Sequence, residues 1–517
     1  MKWIVLTLGF ICGLTIVATP SEGADVIRGP LPTLSLWKGE KYAVWRDVTN
    51  RTPSLVVMKP SSPDRFVRTG VAMPVRREKD VLVNDRVVWG GSVAVPPGGV
   101  AKVVAEITAA DETCARARIV CGDETFDYPM DVVSRTFPQA KERRTFLDIW
   151  QHPWAVARIN QVKPFSKAHY DRMRPLWTEL AEAGQKVITT TIMDQPWAHQ
   201  CFDAYGTMVC HIRLKNGGWR FDYSLFDEYV AFAKSCGLGP QIHCYSLCPF
   251  RLKRYSWEDE EGHVFSGDFD VGSAEFVDYW TDFLNDFARH LKAKGWFDDV
   301  YIALDERSPA ELDAAVRLVK ANGAFRIALA ADRPPSQFSG MDVDNFSIAL
   351  QCVTEKYIAE THERRKLGKT TTFYTAGSNP CTSLRNPPEH VQWLGAYSGV
   401  VDLDGYLRWA FCSWPANPDS DAVYSPWFGG WDKAGGTYLY YPKGPSLRYL
   451  GLCNGINLSE KLHLLRAEGK IGGELASLLT ECRYPVGKDF PGKDVVAALL
   501  RRIAAAVNAC ERRSVKR

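Results

Sequence analysis

The sequence carries little net charge and, past its first residues, no long apolar run. Its formal net charge is +3 over 517 residues, which gives no electrostatic basis for binding nucleic acid. After the N-terminal segment no stretch is long and apolar enough to span a bilayer. We therefore predict a protein with no nucleic-acid partner and no membrane span.

The sequence also lacks the cysteine and histidine spacing of a metal site. Cys244 and Cys248 lie close together, but no matching pair completes a zinc site with them. Without Cys12, which lies in the N-terminal apolar run, 13 of the 14 cysteines remain. Cys114 and Cys121 could join across a hairpin, and the other cysteines are typical of buried thiols. We predict no metal and no cofactor.

The start of the chain has the pattern of a secretory signal peptide. Lys2 supplies a positive charge, and an apolar run from Ile4 to Val17 follows it. This run is too short to remain in a bilayer. After it come the small residues Ala18, Ser21, Gly23 and Ala24. The pattern predicts a cleaved signal peptide over residues 1–23 and a secreted or periplasmic protein.

Residues 24–138 form the first predicted domain. Between about Val26 and Thr136 the sequence shows short β-rich runs broken by turn residues, with no convincing helical period. Such spacing is typical of an antiparallel β-sandwich. The clearest predicted strands are Ser54–Met58, Val81–Val83, Lys102–Ile107 and Arg116–Val120.

Residues 139–517 form the second predicted domain, in which strands alternate with amphipathic helices. The clearest helix runs from Ala274 to Lys294, with its large apolar residues on one face. Strands and helices in regular alternation predict a closed parallel (β/α)8 barrel of the TIM type, followed by C-terminal helices. The eight predicted strands are Thr145–Trp150, Val187–Ile192, Gln241–Tyr245, Val300–Leu304, Phe325–Ala330, Phe346–Leu350, Thr371–Thr375 and Leu403–Trp409.

The fourth predicted strand gives the strongest functional signal. Its apolar residues lead directly into Asp305 and Glu306, at the barrel end where catalytic residues lie. Two adjacent carboxyl groups repel each other, so their pKa values should be pushed apart. One group could then donate a proton while the other stays ionised, which is the division that glycoside hydrolysis needs.

A structural alternative exists for the same residues. Ser308 and Pro309 have the pattern of an N-cap and first helical position, and acidic residues are common where a helix begins. Consecutive strand residues also point to opposite faces, so Asp305 and Glu306 cannot both face the pocket from a regular strand. We therefore predict that the strand ends or becomes irregular at Leu304.

Other candidate site residues follow the ends of the remaining strands. Aromatic residues make up 12% of the chain, with 17 tryptophans, and most of these belong in a core. Those at strand ends are candidates for the pocket. In chain order the candidates are Asp194, Trp197, Gln200, His243, Tyr245, Arg307, Tyr374, Trp409 and Trp414.

The sequence from Phe146 to Leu465 resembles glycoside hydrolase family 123, the β-N-acetylgalactosaminidases. The resemblance implies the same fold, a β-sandwich followed by a (β/α)8 barrel. Several blocks in the right order are more specific than any one of them. The blocks include Leu147–Gln151, Gly184–Ile192, Trp219–Tyr223, His290–Phe297, Asp305–Arg307, Thr372–Thr375, Asp404–Ala410 and Ser413–Trp414.

The resemblance implies a retaining mechanism in which the 2-acetamido group of the sugar is the nucleophile. Glu306 would protonate the leaving oxygen and later accept a proton from water. Asp305 would stay ionised, orient the acetamido N–H and stabilise the positive intermediate. The substrate would be a glycan or glycoconjugate with a terminal N-acetylhexosamine.

The remaining candidates have roles that the resemblance suggests and that packing could equally explain. Trp409 and Trp414 would stack on the sugar, while Tyr245 and Tyr374 would bond the acetamido group or the ring hydroxyls. Arg307 would hold the carboxylates or a neighbouring loop by ion pairing. Four further candidates would also contact substrate: Asp194, Trp197 and Gln200 at the pocket rim, and His243 at the third strand.

Three interpretations of the function are compatible with the sequence, and the first is an exo-acting hydrolase similar to the β-N-acetylgalactosaminidases. His152, His243 and Gly436 differ from the pattern expected for the family, which leaves the choice between N-acetylgalactosamine and N-acetylglucosamine open. A second possibility is a hydrolase of another N-acetylhexosaminide, or of an ordinary glycoside by a different carboxylate pair. A third is a catalytically silent barrel that binds glycans, because a fold alone does not fix function.

Overall fold

The structure is a computed structural model. It describes residues 30–78, 81–198, 200–250, 253–422, 438–484 and 486–515. The predicted signal peptide, residues 1–23, and Gly436 lie outside the described residues. Within these ranges, every helix falls short of the length and apolarity that crossing a membrane requires.

The N-terminal part consists of strands in three sheets. One sheet has the order β2-β7-β4-β5, with antiparallel neighbours, and another has the order β1-β9-β8. β1 and β9 pair in parallel, which is a departure from a purely antiparallel sandwich. The strands are β1 (Leu34–Lys38), β2 (Lys41–Thr49), β3 (Val56–Met58), β4 (Val67–Glu78), β5 (Val81–Trp89), β6 (Val93–Val95), β7 (Val100–Thr108), β8 (Arg116–Cys121) and β9 (Glu124–Thr136).

Alternation of side chains builds the core between these sheets. In β8, Ala117, Ile119 and Cys121 are buried while the residues between them are not, because successive side chains of a strand point to opposite faces. Val71 and Ile107 from the larger sheet join the same core. The four strands that the sequence predicts in this part are confirmed, with β5 extending further than expected.

The hairpin disulfide considered from the sequence does not form. Cys114 and Cys121 are both free thiols, as are the other described cysteines. Cys114 precedes β8 and Cys121 is its last residue. A strand rises about 3.3 Å per residue, so the two residues lie at opposite ends of one strand, too far apart for a disulfide.

The second part is an eight-stranded barrel whose hydrogen-bonded neighbours are parallel, in the order β10-β21-β20-β19-β18-β17-β14-β11. The predicted TIM-type barrel is confirmed, with β14 and β17 at their predicted bounds and the other strands within two residues. The strands are β10 (Phe146–Ile149), β11 (Val187–Thr191), β14 (Gln241–Tyr245), β17 (Val300–Leu304), β18 (Arg326–Ala331), β19 (Asn345–Ala349), β20 (Thr370–Tyr374) and β21 (Gly405–Arg408).

Two glutamine side chains close the barrel between β10 and β11. Oε1 of Gln185 accepts the backbone N–H of Ile149 at 2.8 Å. Oε1 of Gln151 accepts the backbone N–H of Thr189 at 2.9 Å. Side-chain amides therefore supply ladder bonds at this seam, where buried backbone groups need partners.

Helices surround the barrel, and a small sheet is inserted after its second and third strands. This sheet has the order β13-β12-β15-β16, from β12 (Cys210–Arg213), β13 (Trp219–Asp222), β15 (Arg254–Asp259) and β16 (Val264–Asp268). A short hairpin joins β22 (Tyr440–Tyr441) to β23 (Gly444–Pro445). The helices are α1 (Pro153–Ile159), α2 (Lys167–Glu182), α3 (Ser224–Ser235), α4 (Ala274–Lys294), α5 (Pro309–Ala321), α6 (Glu355–Lys366), α7 (Pro388–Val401), α8 (Leu447–Ala467), α9 (Glu474–Glu481) and α10 (Lys493–Val515).

Helices α7 and α8 cross closely because glycines lie at the crossing. A Cβ atom added at Gly395 would lie 2.4 Å from the carbonyl oxygen of Leu452. One added at Gly455 would lie 2.0 Å from the carbonyl oxygen of Gln392. Side chains at these positions would force the helices apart, so backbone contact depends on glycine on both sides.

Two buried ion pairs connect the N-terminal strands to α8. Arg448 donates to Asp85 Oδ2 at 3.0 Å. Lys461 donates to Glu40 Oε2, also at 3.0 Å. All four side chains are at most 3% exposed, so each charge depends on its partner for compensation.

Candidate active site

The connection from β17 to α5 carries the two predicted carboxylates. β17 ends at Leu304, and the next four residues belong to neither strand nor helix, which confirms the predicted irregular backbone. Ser308 caps α5 with Pro309 at the first helical position, and Glu311 completes a capping box. The capping pattern is therefore also present, and its side-chain bonds are made by Ser308 and Glu311. Neither carboxylate of the candidate pair is used as the cap.

Asp305 is the more deeply buried carboxylate of the pair, at 9% exposure. Its Oδ1 accepts the backbone N–H of Glu306 at 2.8 Å. Burial raises the pKa of the Asp305 carboxyl, while the charge of Arg307 and the backbone hydrogen bond lower it. The indole N–H of Trp197 lies beside the carboxylate and also lowers its pKa, in a geometry looser than a normal hydrogen bond.

The carboxyl group of Glu306 has a pKa at which it can both donate and accept a proton near neutral pH. Burial, followed by the charge of Asp305, raises the pKa of Glu306 to about 7. A catalytic acid works best when its pKa lies near the working pH. The neighbouring carboxylate is one of the causes of this shift, so the two acids act on each other as adjacent like charges do.

Tyr374 connects the end of β20 to the acid. Its hydroxyl donates a hydrogen bond to Glu306 Oε1. Burial, and then the charge of Glu306, raises the pKa of the Tyr374 phenol well above its usual value. The phenol therefore keeps its proton at ordinary pH and acts as a donor. This hydrogen bond orients Glu306 and lowers its pKa.

Aromatic rings form the floor of the site, which we call the aromatic floor and define as Trp150, Trp197 and Tyr245. The ring of Tyr245 lies 4.5 Å from that of Trp150 and 4.9 Å from that of Trp197, between centroids. All three are almost completely buried. Trp409 is half-buried and packs against the same cluster, with Tyr374. Four of the predicted aromatic residues therefore belong to one cluster, and three of them, Trp197, Tyr245 and Tyr374, interact with the carboxylates.

Arg307 holds loops rather than pairing with a carboxylate at hydrogen-bond distance. Its Nε and Nη2 donate to the carbonyl oxygen of Cys248 at 2.9 and 2.6 Å. Nη2 also donates to the carbonyl of Pro196 at 3.4 Å. Its guanidinium lies over the ring of Phe250. Arg307 thus joins the loops that follow β11 and β14 to the loop that carries Glu306.

Two predicted residues lie in the loop after β11 without reaching the carboxylates in the contacts described. Oδ1 of Asp194 accepts the backbone N–H of Thr207 at 2.9 Å, which braces the loop. Gln200 is partly exposed, and its backbone N–H donates to the carbonyl of Trp197 at 3.2 Å.

Trp414 lies away from the aromatic floor. It is 1% exposed and belongs to the main core of the barrel and its helices. Its indole N–H donates to the carbonyl of Tyr440 at 2.7 Å. The chain leaves the barrel after β21, and this carries Trp414 into the packing between the β21 loop and the β22–β23 hairpin.

His243 lies inside the barrel, one inward-facing position before Tyr245 on β14. Its Nδ1 is 3.6 Å from Asp148 Oδ2, and its Nε2 is 3.0 Å from Gln241 Oε1. Burial lowers the pKa of His243 to about 3 and raises that of Asp148 to about 7. Both groups are uncharged between those pH values, because burial penalises the charged form of each.

Several site residues had no role in the sequence-based prediction. Asp148 lies on β10 and Trp150 directly follows that strand, and the polar residues at the end of the strand were the available signal. Asp332 is the first residue after β18, and its charge raises the pKa of Glu306. The sequence feature that could have identified Asp332 is a carboxylate directly after an apolar run, the same feature that identifies Asp305. In the described part of the chain no group of three or more metal-binding side chains comes together.

The family model for the catalytic domain of glycoside hydrolase 123 matches residues 150–465. A solved structure of a family 123 glycoside hydrolase from Clostridium perfringens shares the fold, with a TM-score of 0.83 at 22% identity, covering 95% of both chains. An exo-β-N-acetylglucosaminidase of family 20 from Vibrio harveyi superposes more loosely. Its TM-score is 0.26 at 9% identity, over 84% of this chain and 97% of that one. A search of curated proteins found no match.

Proposed function

Because the chain belongs to glycoside hydrolase family 123, we propose that it removes terminal β-linked N-acetylgalactosamine from glycans by a retaining, substrate-assisted mechanism. Glycoside hydrolysis itself follows from the family, and so does a carbohydrate substrate. The sugar, the mechanism and the residues that carry it are the proposal.

The observation that carries the proposal is the state of the two adjacent carboxyl groups. Glu306 has a pKa of about 7, so it holds a proton near neutral pH and can release it. Burial raises the pKa of the Asp305 carboxyl beside it, while a nearby guanidinium, a backbone N–H and an indole N–H lower that pKa. The charge of Asp305 in turn raises the pKa of Glu306, so Asp305 is the first of the two to ionise. One acid and one anion side by side supply what a substrate-assisted reaction needs from the protein.

In the first step the carbonyl oxygen of the 2-acetamido group attacks the anomeric carbon. The bond from this carbon to the leaving oxygen breaks, and Glu306 gives its proton to that oxygen. Asp305 accepts a hydrogen bond from the acetamido N–H, which becomes more acidic as the oxazolinium ring forms. Its negative charge stabilises that positive intermediate.

In the second step water attacks the anomeric carbon from the face that the leaving group vacated. Glu306 accepts a proton from this water, and the bond to the acetamido oxygen breaks. The acetamido group is restored, and two displacements give net retention. Enzymes with a protein nucleophile hold their two carboxyl groups about 5–5.5 Å apart across the bond. Asp305 and Glu306 are adjacent residues of one short loop. This arrangement suits a substrate-assisted mechanism better than a mechanism with a protein nucleophile.

The aromatic floor supports recognition of the acetamido group. Trp150, Trp197 and Tyr245 form a packed apolar cluster, and Trp197 and Tyr245 lie close enough to Asp305 to interact with its charge. An acetamido methyl group gains by burial against such a surface while its N–H reaches the carboxylate. Ordinary glycosides lack both groups.

We also propose that the protein acts after export, which rests on the signal-peptide pattern of residues 1–23.

The test is hydrolysis of paired chromogenic β-glycosides of N-acetylgalactosamine, N-acetylglucosamine and galactose. We expect turnover of the first, and none of the galactoside. Glu306→Gln and Asp305→Asn should each lose roughly a hundredfold or more in kcat/KM. Glu363→Gln on α6, an exposed glutamate, is the matched control and should be unchanged.

The other possible results of this assay distinguish the alternative functions. Faster turnover of the N-acetylglucosaminide would correct the sugar and keep the mechanism. Turnover of the galactoside would exclude an obligatory acetamido nucleophile. Glycan binding without turnover of any substrate would instead support a silent binding barrel.

A further inference from the structure

Asp332 lies at the barrel mouth on the side that faces the pocket. β18 ends at Ala331, and Asp332 follows it directly. Ala328 and Ala330 point inward and pack in the cluster that contains the aromatic floor. Alternate residues of a strand share a face, so continuing the alternation by one step places Asp332 inward as well.

Strand register sets Asp332 level with Tyr374. Ala331 pairs with Ile348 on β19, so Asp332 lies beside Ala349. Ala349 in turn pairs with Tyr374 on β20. Neighbouring strands are about 4.8 Å apart, so Asp332 and Tyr374 flank the small side chain of Ala349 with about 10 Å between their backbones. Ala349 has the smallest side chain beyond glycine, so little side-chain volume separates the two residues.

The backbone of Asp332 is held while its carboxylate stays accessible. The thiol of Cys352 donates to the backbone carbonyl of Asp332 at 3.4 Å. The carboxylate is 3.6 Å from Arg333 Nε, and both side chains are 44% exposed. An exposed pair of this kind contributes little energy, so a ligand can take the carboxylate from Arg333 at small cost.

The electrostatics of the site agree with this placement. The charge of Asp332 raises the pKa of Glu306, of Asp305 and of Tyr374. A carboxylate whose charge acts on all three groups lies close to them. This contribution is secondary to burial at each of them.

We propose that Asp332 is a substrate-binding residue that accepts hydrogen bonds from the hydroxyl groups of the terminal sugar and selects between sugar epimers. The inference rests on the proposed function. In that mechanism Glu306 protonates the glycosidic oxygen and Asp305 accepts the acetamido N–H. The edge of the ring with the 3-, 4- and 6-hydroxyls is therefore left for Asp332 to bind. A carboxylate accepts two such hydrogen bonds at once and discriminates by geometry.

The test compares Asp332→Asn with wild type on the N-acetylgalactosaminide and the N-acetylglucosaminide. We expect kcat/KM for the preferred sugar to fall roughly ten- to a hundredfold, mostly through KM, since a hydrogen bond to a charged group is lost. The ratio between the two epimers should move toward one. Asp313→Asn on α5, with 40% exposure and its own arginine partner, is the control.

A second readout separates binding from a structural role. Removing the charge of Asp332 takes away one cause of the raised Glu306 pKa, so the basic limb of the pH profile should move to lower pH in Asp332→Asn only. Unchanged kinetics and an unchanged epimer ratio would overturn the proposal for Asp332 while leaving the hydrolase assignment intact.

If the wild-type protein hydrolyses none of the substrates, the proposed function has failed. In that case calorimetric binding of free N-acetylgalactosamine and N-acetylglucosamine tests Asp332 directly. Weaker binding to Asp332→Asn than to wild type and Asp313→Asn would support the assignment. Equal binding to all three, or no binding of either sugar to wild type, would overturn it.

Discussion

The hydroxyl of Tyr374 donates a hydrogen bond to Glu306 Oε1 although 68 residues separate them in the chain. Tyr374 ends β20 and Glu306 follows β17, with β18 and β19 between them in the barrel. The bond therefore spans the end of the barrel from the loop after β17 to the end of β20. It fixes the orientation of the candidate acid and is one of the influences that set its pKa.

Replacing Tyr374 with phenylalanine should change the pH dependence of hydrolysis. The hydrogen bond from Tyr374 lowers the pKa of Glu306, which is about 7 in its presence. Without it the pKa rises, so the acid keeps its proton to higher pH and the basic limb of kcat/KM shifts upward. Loss of orientation should also lower the maximum roughly tenfold. The measurement is kcat/KM from pH 5 to pH 9.

Tyr223→Phe is the control for this variant. Tyr223 makes a similar bond, with its hydroxyl 3.0 Å from Asp286 Oδ1, between α3 and α4. Its removal should leave the pH profile in place. A Tyr374→Phe profile that coincides with wild type would show that the phenol does not act on the ionisation of Glu306.

Replacing Asp148 with asparagine should flatten the dependence of stability on pH. Burial raises the pKa of Asp148 from its ordinary value of 3.8 to about 7. A group whose pKa is raised by folding contributes stability that is complete below the unfolded pKa and is lost as pH rises through the folded pKa. From pH 4 to pH 8 the variant should therefore gain up to about 4 kcal/mol relative to wild type.

Urea unfolding at several pH values measures this difference. Asp171→Asn, at an exposed position on α2, should run parallel to wild type. A parallel curve for Asp148→Asn would mean instead that Asp148 stays ionised and forms an ion pair with His243.

Replacing Gly455 with alanine should destabilise the protein, although alanine usually favours a helix. An exposed glycine in a helix costs about 1 kcal/mol relative to alanine. At Gly455, however, the added Cβ would lie 2.0 Å from the carbonyl of Gln392 on α7. Overpacking of this kind costs about 1–3 kcal/mol. We expect a lower free energy of unfolding, measured by urea titration.

Gly472→Ala provides the comparison, since a Cβ there would meet no atom within 4 Å. Its stability should equal or slightly exceed that of wild type. If Gly455→Ala were as stable as wild type, the two helices would have to separate without cost.

The pattern of the sequence was sufficient for the elements that position the site. The apolar run Val300–Leu304 is bounded by aspartates, so both ends of β17 could be predicted. The single apolar face of residues 274–294 likewise defined α4. The rule that catalytic residues follow barrel strands then singled out Asp305, Glu306 and Tyr374 before any contact between them was known.

The depth of a side chain within the barrel and its packing against distant parts of the chain could not be predicted in the same way. His243 and Tyr245 share a face of β14, and alternation alone does not say which of them is level with the carboxylates. Trp414 follows the last barrel strand as Trp409 does, but the path of the chain after β21 decides that it joins the core. The inserted sheet of β12, β13, β15 and β16 was missed, because its strands are short and lie within long connections.

The ion pairs between the N-terminal sheets and α8 have a consequence for the order in which the protein matures. Asp85 and Glu40 leave the ribosome early, but their cationic partners follow 363 and 421 residues later. Burying either carboxylate alone costs several kcal/mol. Until Arg448 and Lys461 have been synthesised, these carboxylates are more stable in water than in the positions they finally occupy. The N-terminal sheets are translated first, but they reach their final packing against α8 only after the C-terminal part of the chain has been synthesised.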